Sequence, residues 1–359
     1  MSTRFLNARA AAAALWLVAA CTAHAQGGAQ RPAAAGNSPN APTAAQAAPR
    51  PALESDLAAC QALVQRLSAF KPVDCARLAF VPTGAKSVRG RPILVREFGA
   101  PAAGVRPSSS QAGERAPAAT LRQPRVLLVG GIHGDELTAI ATVLRWAEWL
   151  ARDAAGGPSK SDGAEVFHWR VVPAMNPDGL LARPATRVNA NGVDLNRNFP
   201  TPGWEPKARK WWEGTARKDP RRFPGRAPAS EPETRWLLAE IDRFAPDVII
   251  SVHAPFGLLD YDGPKPQNLS PPRQLGRLYL DQLGVYPGSL GNYGGVHRGV
   301  AVLTIELPHA LELPNDLELA RMWADLRRWI AEYTQRSAAA QLAVGGGSGA
   351  EAGGATPRR

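Results

Sequence analysis

The chain has 359 residues, 45% of them hydrophobic, and a formal net charge of +11 at pH 7. That length allows one large domain with tails or two small domains, and the apolar content is enough for a sizeable core. The positive balance would suit nucleic acid, but Arg and Lys run along the whole chain and no nucleic-acid motif accompanies them, so an anionic envelope or an acidic substrate fits better.

Residues 1–25 read as an export signal. Arg4 and Arg9 make a positive start, Ala10 to Ala20 an apolar centre, and Ala23-His24-Ala25 a small-residue cleavage site before Gln26. The expected destination is the periplasm. The apolar run is too short for a permanent span, and no other stretch is long and apolar enough to cross a membrane. Val18-Ala19-Ala20-Cys21 also spells a lipobox, which leaves open a lipid anchor on Cys21. Residues 26–52, rich in Ala, Pro, Gly, Gln and Asn without apolar periodicity, read as a disordered linker. Leu57, Cys60, Leu63 and Leu67 then repeat with helical spacing until Lys71-Pro72, within a helical lead-in over 53–84. Cys60 and Cys75 form an even pair fifteen residues apart, a disulfide in an oxidising compartment or else two small buried hydrophobes.

Ile93-Leu94-Val95 has the makings of a short strand, and 101–123 of a Pro/Ala/Ser-rich surface loop. The core begins near Arg125, within an expected catalytic domain over 85–336. Strand-like runs at Val126–Val129, Phe167–Pro173, Val248–His253 and Val300–Leu307 alternate with helix-like stretches at Leu137–Ala151, Pro232–Phe244, Pro271–Leu283 and Asn315–Tyr333. Ser230 followed by Glu233 spells a capping box before the second of these helices. This alternation predicts an α/β fold with a largely parallel sheet. Residues 337–359, rich in Ala, Gly and Ser, read as a disordered tail.

Ligands of such sheets gather at the carboxyl ends of the strands. Four chemistry-bearing residues sit there: His133 and Glu136 in Gly-Gly-Ile-His-Gly-Asp-Glu, His253 after Val248–Val252, and Glu306 after Val302–Ile305. Two imidazoles and a carboxylate are ligands that zinc prefers, and three protein ligands leave a coordination position open, as catalytic zinc requires. His168, His297 and His309 lack such context and read as structural or surface residues. A carboxylate ending an apolar strand, as Glu306 does, needs a partner, and a water awaiting activation would serve. Arg187-Val188-Asn189-Ala190-Asn191-Gly192-Val193-Asp194-Leu195-Asn196-Arg197-Asn198-Phe199-Pro200 is a polar loop. In it Asn196 and Arg197 suit a carboxylate, and Asp194 suits the outer nitrogen of a ligating histidine. Upstream, Asn176-Pro177-Asp178-Gly179 spells a turn.

Taken together, these motifs resemble the zinc metallocarboxypeptidase family, and within it the murein peptide amidases, which split the γ-D-glutamyl–diaminopimelate bond. Ser230-Glu231-Pro232-Glu233-Thr234, Asp260-Tyr261-Asp262-Gly263-Pro264 and Pro287-Gly288-Ser289-Leu290-Gly291 extend the likeness, which covers about residues 85–335. The resemblance implies a single carboxypeptidase-like domain, a mixed, mostly parallel sheet flanked by helices. It implies one Zn2+ per chain held by His133, Glu136 and His253. Glu306 would be the general base on the attacking water and later the acid for the leaving amine. Arg187 would help polarise the scissile carbonyl or stabilise its oxyanion, and Asn196 and Arg197 would hold the terminal carboxylate of a murein peptide or another small peptide. Asp260 and Asp262, expected on a turn-like loop past His253, are candidates for the amine of diaminopimelate, or simply shape that loop. The digestive carboxypeptidases' mobile tyrosine has no obvious match, with Tyr286 and Tyr293 the nearby choices. Other readings are a deacylase resembling succinylglutamate desuccinylase and aspartoacylase, a general metallocarboxypeptidase, or an inactive wall-binding module on the same fold.

Overall fold

The structure, a computed structural model, describes residues 51–100, 123–156, 167–264 and 270–346. The export signal, Cys21, the linker up to residue 50, the loop over 101–122 and the tail from 347 lie outside the described residues.

The centre of the fold follows from strands whose sequences are apolar on both faces. Strands β3 (Arg125–Gly130), β4 (His168–Val172), β5 (Val248–His253) and β9 (Ala301–Glu306) pair in parallel, and β5 is buried at every position. A parallel sheet covered on both sides requires that pattern. Antiparallel strands flank them, β1 (Val81–Lys86) and β2 (Pro92–Phe98) at one edge and β6 (Leu258–Asp262) at the other. The resulting seven-stranded sheet runs β1-β2-β4-β3-β5-β9-β6.

Alternate side chains of the same strands feed two cores. On one face Leu128, Ile250 and Leu303 pack with Ile140, Val143 and Leu144 of α3 (Leu137–Ala154) and with Met322, Leu326 and Ile330 of α7 (Asp316–Gly346). On the other face Leu127, Ile249 and Val302 meet Leu237 and Ile241 of α6 (Pro232–Phe244). The Cys60–Cys75 disulfide joins α1 (Pro51–Val64) to α2 (Asp74–Leu78).

Register decides where the chemistry sits. Gly130 pairs with Val252, and His253 with Glu306, so β3, β5 and β9 end along one rim of the sheet. The chain segments that leave that rim carry His133, Glu136, His253 and Glu306.

Several local expectations change. The helix expected over Pro271–Leu283 is a hairpin of two short strands, β7 (Gln274–Leu275) and β8 (Leu278–Tyr279). Gln274 pairs with Tyr279 and Leu275 with Leu278, and Leu280 N donates to Arg273 O, so the segment's backbone bonds close a hairpin. Strand β1 crosses the expected boundary at residue 84 and joins the sheet, so the lead-in is continuous with the main body. α1 already begins at Pro51, inside the expected linker, and α7 runs ten residues into the expected tail, from 337 to 346. Asn176 does not merely begin a turn: its Oδ1 accepts from Gly179 N at 2.8 Å and caps the short helix α4 (Pro177–Leu181). The capping box is not formed. Glu231 is the residue before α6, while Ser230 Oγ donates to Glu231 Oε1 at 2.7 Å and Glu233 accepts from Val88 N at 3.1 Å. The turn expected at Asp260-Tyr261-Asp262 is edge strand β6. Helix α5 (Trp204–Glu213) was not anticipated.

Candidate metal centre and carboxylate pocket

His133 and Glu136 leave β3 through a turn pressed against α4. A side chain at Gly134 would stand 2.2 Å from the backbone carbon of Gly179, so only glycine lets the two segments pass. His253 comes in from β5. All three residues are buried, and their donor atoms lie within 4.8 Å of one another. His133 Nδ1 is 2.7 Å from Glu136 Oε1, His253 Nδ1 is 3.0 Å from Glu136 Oε2, and the two Nδ1 atoms are 3.2 Å apart. The edge of a tetrahedron with zinc–nitrogen bonds of about 2.0 Å is about 3.3 Å.

The outer nitrogens orient the two rings. His133 Nε2 lies 3.0 Å from Asp194 Oδ1, and an ionised carboxylate only accepts, so that nitrogen carries the hydrogen and Nδ1 presents a lone pair inward. His253 Nε2 is held in turn by Ser251 Oγ at 2.9 Å, two residues back on the same strand face. In the neutral ring the His133 Nδ1 lone pair faces the Glu136 carboxylate, a repulsion that a divalent cation between them relieves. Burial disfavours the charge on Glu136, but His133 and His253 overcome it and hold the carboxyl well below the usual range. Burial likewise opposes Asp194, yet Arg187 and His133 keep it ionised. Burial and Arg187 would lower the His133 imidazole, but Glu136 and Asp194 raise it. Two imidazole nitrogens and a carboxylate oxygen converging at these separations fit zinc.

Glu306 ends β9 directly across from His253. Burial raises its carboxyl above the ordinary value; the His253 imidazole opposes that rise and Glu136 adds to it. Its Oε2 is buried without a hydrogen-bond partner among the described residues. Such an orphaned oxygen beside a metal-ligand group is what a proton acceptor awaiting water needs.

Arg187 spans the edge of the group, with Nε 3.1 Å from Asp194 Oδ2 and one terminal nitrogen 3.3 Å from Glu136 Oε1. Asn196 Oδ1 accepts from Leu290 N at 2.8 Å, and Asn196 N donates to Asp194 Oδ1 at 2.9 Å. Arg197 faces two aromatic rings that meet each other edge-on at 5.6 Å, 4.8 Å from the Trp211 centroid and 4.6 Å from that of Tyr286. Its guanidinium bonds the Asn196 carbonyl at 2.7 Å, and burial brings its pKa down to about 10. Tyr286 thus packs on Arg197 and Trp211. Tyr293 stacks on Phe199 at 5.9 Å and its hydroxyl accepts from Arg298 at 2.8 Å.

The remaining motifs hold this loop. Asn189 Nδ2 donates to Glu231 Oε2 at 2.7 Å and to Glu233 Oε2 at 3.1 Å, and Asn198 Oδ1 accepts from Glu231 N at 3.2 Å. At Gly288 any side chain would lie 2.0 Å from the carbonyl oxygen of Arg197, which accounts for the glycine in Pro287-Gly288-Ser289. Asp260 is buried on β6 opposite Thr304 and accepts from Tyr261 N at 3.0 Å. Asp262 packs against Gly291 and Gly295, where a side chain at Gly291 would come within 1.9 Å of its Oδ2. His168 approaches Glu97 at 3.3 Å, and His309 Nδ1 accepts from Leu311 N at 3.1 Å; neither belongs to the metal group.

Sequence reasoning missed Trp211 and Ser251. Ser251 was legible from its position two residues before His253 on one strand, where side chains share a face. Trp204, Ala208 and Trp211 repeat at helical spacing, the signal that would have found α5.

A parallel β-sheet rim with paired histidines, a carboxylate between them and a buried glutamate opposite defines a zinc-hydrolase type of site. A model of the zinc carboxypeptidase family (peptidase M14) matches residues 73–282, more than half of the chain, and the chain belongs to that family. Murein peptide amidase A of Escherichia coli K12 is 33% identical over 146 residues, covering 40% of this chain and 54% of that protein. The chain therefore spans about half the length of that relative. Murein peptide amidase A of Vibrio campbellii is 30% identical over 199 residues, covering 54% of this chain and 73% of the relative. Among solved structures, the carboxypeptidase A of Helicoverpa armigera shares the fold at a TM-score of 0.50, with 18% identity, covering 73% of this chain and 72% of that one.

Proposed function

We propose that this chain is a zinc-dependent peptidase acting on peptidoglycan-derived peptides, and that it cuts the amide between γ-D-glutamate and meso-diaminopimelate. The observation that carries the reading is the buried, unpartnered Oε2 of Glu306 beside the His133–Glu136–His253 group. The relatives named as murein peptide amidases support the choice of substrate.

His133, Glu136 and His253 would hold the zinc, which when bound acidifies water and polarises the scissile carbonyl. The rest falls to the chain's own groups. Arg197 and the Asn196 amide grip the substrate's terminal carboxylate, which sets the scissile bond against Glu306. Glu306 Oε2 accepts a proton from the attacking water. It then delivers that proton to the departing nitrogen, so the amine leaves neutral. Arg187 lies close enough to Glu136 to stabilise negative charge growing on the carbonyl oxygen in a site where water is scarce. Asp194 and Ser251 orient the two imidazoles throughout. The signal read in residues 1–25 adds the proposal that this happens in the periplasm, on intact wall peptides or their soluble fragments.

The test is mass spectrometry of products from L-Ala-γ-D-Glu-meso-diaminopimelate. Free diaminopimelate with L-Ala-D-Glu is the expected result. Release of C-terminal residues from ordinary α-peptides alone would instead make this a general carboxypeptidase. Hydrolysis of N-succinyl or N-acetyl amino acids alone would make it a deacylase.

A further inference from the structure

Positive charge runs along the whole chain, but one dense stretch of it lies beside the metal group. Residues 207–226, from α5 into the loop behind it, hold eight Lys and Arg against two carboxylates. All eight cations are exposed. Three are neutralised: Arg209 by Glu213 at 3.2 Å, Arg221 by Asp135 at 2.7 Å and Arg222 by Asp219 at 3.5 Å. Lys207 Nζ donates to the Pro202 carbonyl at 3.3 Å. Lys210, Arg217, Lys218 and Arg226 have no partner among the described residues.

The segment borders the pocket at three points. Trp211 lies 4.8 Å from the Arg197 guanidinium, Asp135 lies between two metal-group residues, and Asp194 N donates to Phe223 O at 2.8 Å. The loop is also held in an unfavourable shape. Arg217 and Lys218 are consecutive non-glycine residues in the left-handed region, with φ of 52° and 57°. Trp212 fixes them: its carbonyl accepts from Lys218 N at 2.8 Å, its indole donates to Asp219 O at 2.8 Å, and its ring meets Phe223 edge-on at 5.0 Å. Nothing in the packing needs two cations there, since both side chains stand in solvent. Backbone strain kept at a charged surface beside a site points to a role for that surface.

We infer that the outer face of residues 207–226 is a capture surface for acidic peptides, favouring substrates with carboxylates beyond the terminal one that Arg197 takes. The inference deepens the peptidase reading and rests on it. A field of unpaired cations at the mouth raises the local concentration of an anionic ligand, and salt screens the effect over about 8–10 Å. Recruitment should therefore appear in binding and in kcat/KM at low salt, while the chemistry at Glu306 is untouched.

The experiment uses the zinc-loaded full chain and two fluorescent peptides of equal length and identical C-terminal residue. One carries three upstream Glu residues, the other three Gln. Anisotropy should show the acidic peptide bound on the order of tenfold tighter at low ionic strength, the advantage shrinking as salt is added. Combining Lys210→Gln, Arg217→Gln, Lys218→Gln and Arg226→Gln should abolish the preference. An equal loss of charge elsewhere, through Gln at Arg273, Arg277, Arg321 and Arg328, should leave it intact. Equal affinities in the wild type, no binding of either peptide, or a preference that survives the first set and falls with the second would each overturn the inference. Turnover of the Gln peptide by the wild type, followed in parallel, reports on the peptidase reading by itself.

Discussion

Replacing Trp211 by alanine removes one of the two rings that the Arg197 guanidinium packs against. Arg197 is only 7% exposed and the Trp211 centroid lies 4.8 Å from it, so the contact is largely shielded from water. A desolvated cation–π contact contributes about 2 kcal/mol. With about 1.4 kcal/mol per factor of ten, the loss is roughly thirtyfold. It should fall on KM for a peptide with a free terminal carboxylate, with kcat changed much less, because the guanidinium is displaced while Glu306 and the metal group stay in place. Trp211→Phe, which keeps a ring, should recover most of the loss. The control is the same peptide with its terminal carboxylate amidated: there Arg197 has no anion to hold, and wild type and variant should differ little. An equal defect on both peptides would show that Trp211 supports the fold rather than the arginine. Tighter binding by Trp211→Ala would show that the rings compete with substrate for the guanidinium, and would refute the reasoning outright.

Glu306→Gln should retain about one equivalent of zinc, which His253→Ala should lose, while turnover falls by about two to four orders of magnitude; activity within a few-fold of wild type would remove Glu306 from the proton-transfer role. Replacing Cys60 and Cys75 by serine opens a cross-link spanning fifteen residues. Equilibrium denaturation should then show about 3 kcal/mol less stability on the chain-entropy account, and intact mass under reducing and non-reducing conditions should confirm the bridge. Asp194 supplies an acid-side test. Its folded pKa is depressed, after the cost of burial, by Arg187 and His133. Its stabilising contribution is therefore complete above the unfolded carboxylate pKa of about 4 and is lost as pH falls through the folded value. In metal-free protein Asp194→Asn should cost about 3–5 kcal/mol near neutrality, since it strips a buried ion of its partner. The gap to wild type should close only under strongly acidic conditions, and a gap that stays constant down to those conditions would contradict the linkage.

What could be read from the sequence divides along a physical line. The central strands and α3, α6 and α7 were visible because each buries a continuous stripe or both faces, and burial at period two or 3.6 leaves its mark on every residue. His133, Glu136, His253 and Glu306 were visible because the ends of such strands are fixed once the strands are. The failures lie where one long-range contact outweighs local spelling. Ser230 and Glu233 spell a cap, yet Asn198 and Asn189, more than thirty residues away in sequence, draw the Ser230–Glu233 segment into the network that holds the polar loop over 187–200. Asp260 and Asp262 spell a turn, yet pairing with β9 along an open sheet edge makes them strand.

The same division explains why the arginine's aromatic brace was not foreseen. Trp211 and Tyr286 are seventy-five positions apart and meet only because Gly288 lets the chain pass over the Arg197 carbonyl. No window of sequence contains that meeting. Metal ligands must obey a donor chemistry shared by all zinc sites, and so they announce themselves. The residues that shape a substrate pocket need only fit one another. A tryptophan on a surface helix looks like any other until the opposing loop is in place. In this chain the candidate metal group is the legible part, while the packing of residues 204–226 and 286–291 around Arg197 is where the sequence alone is least informative.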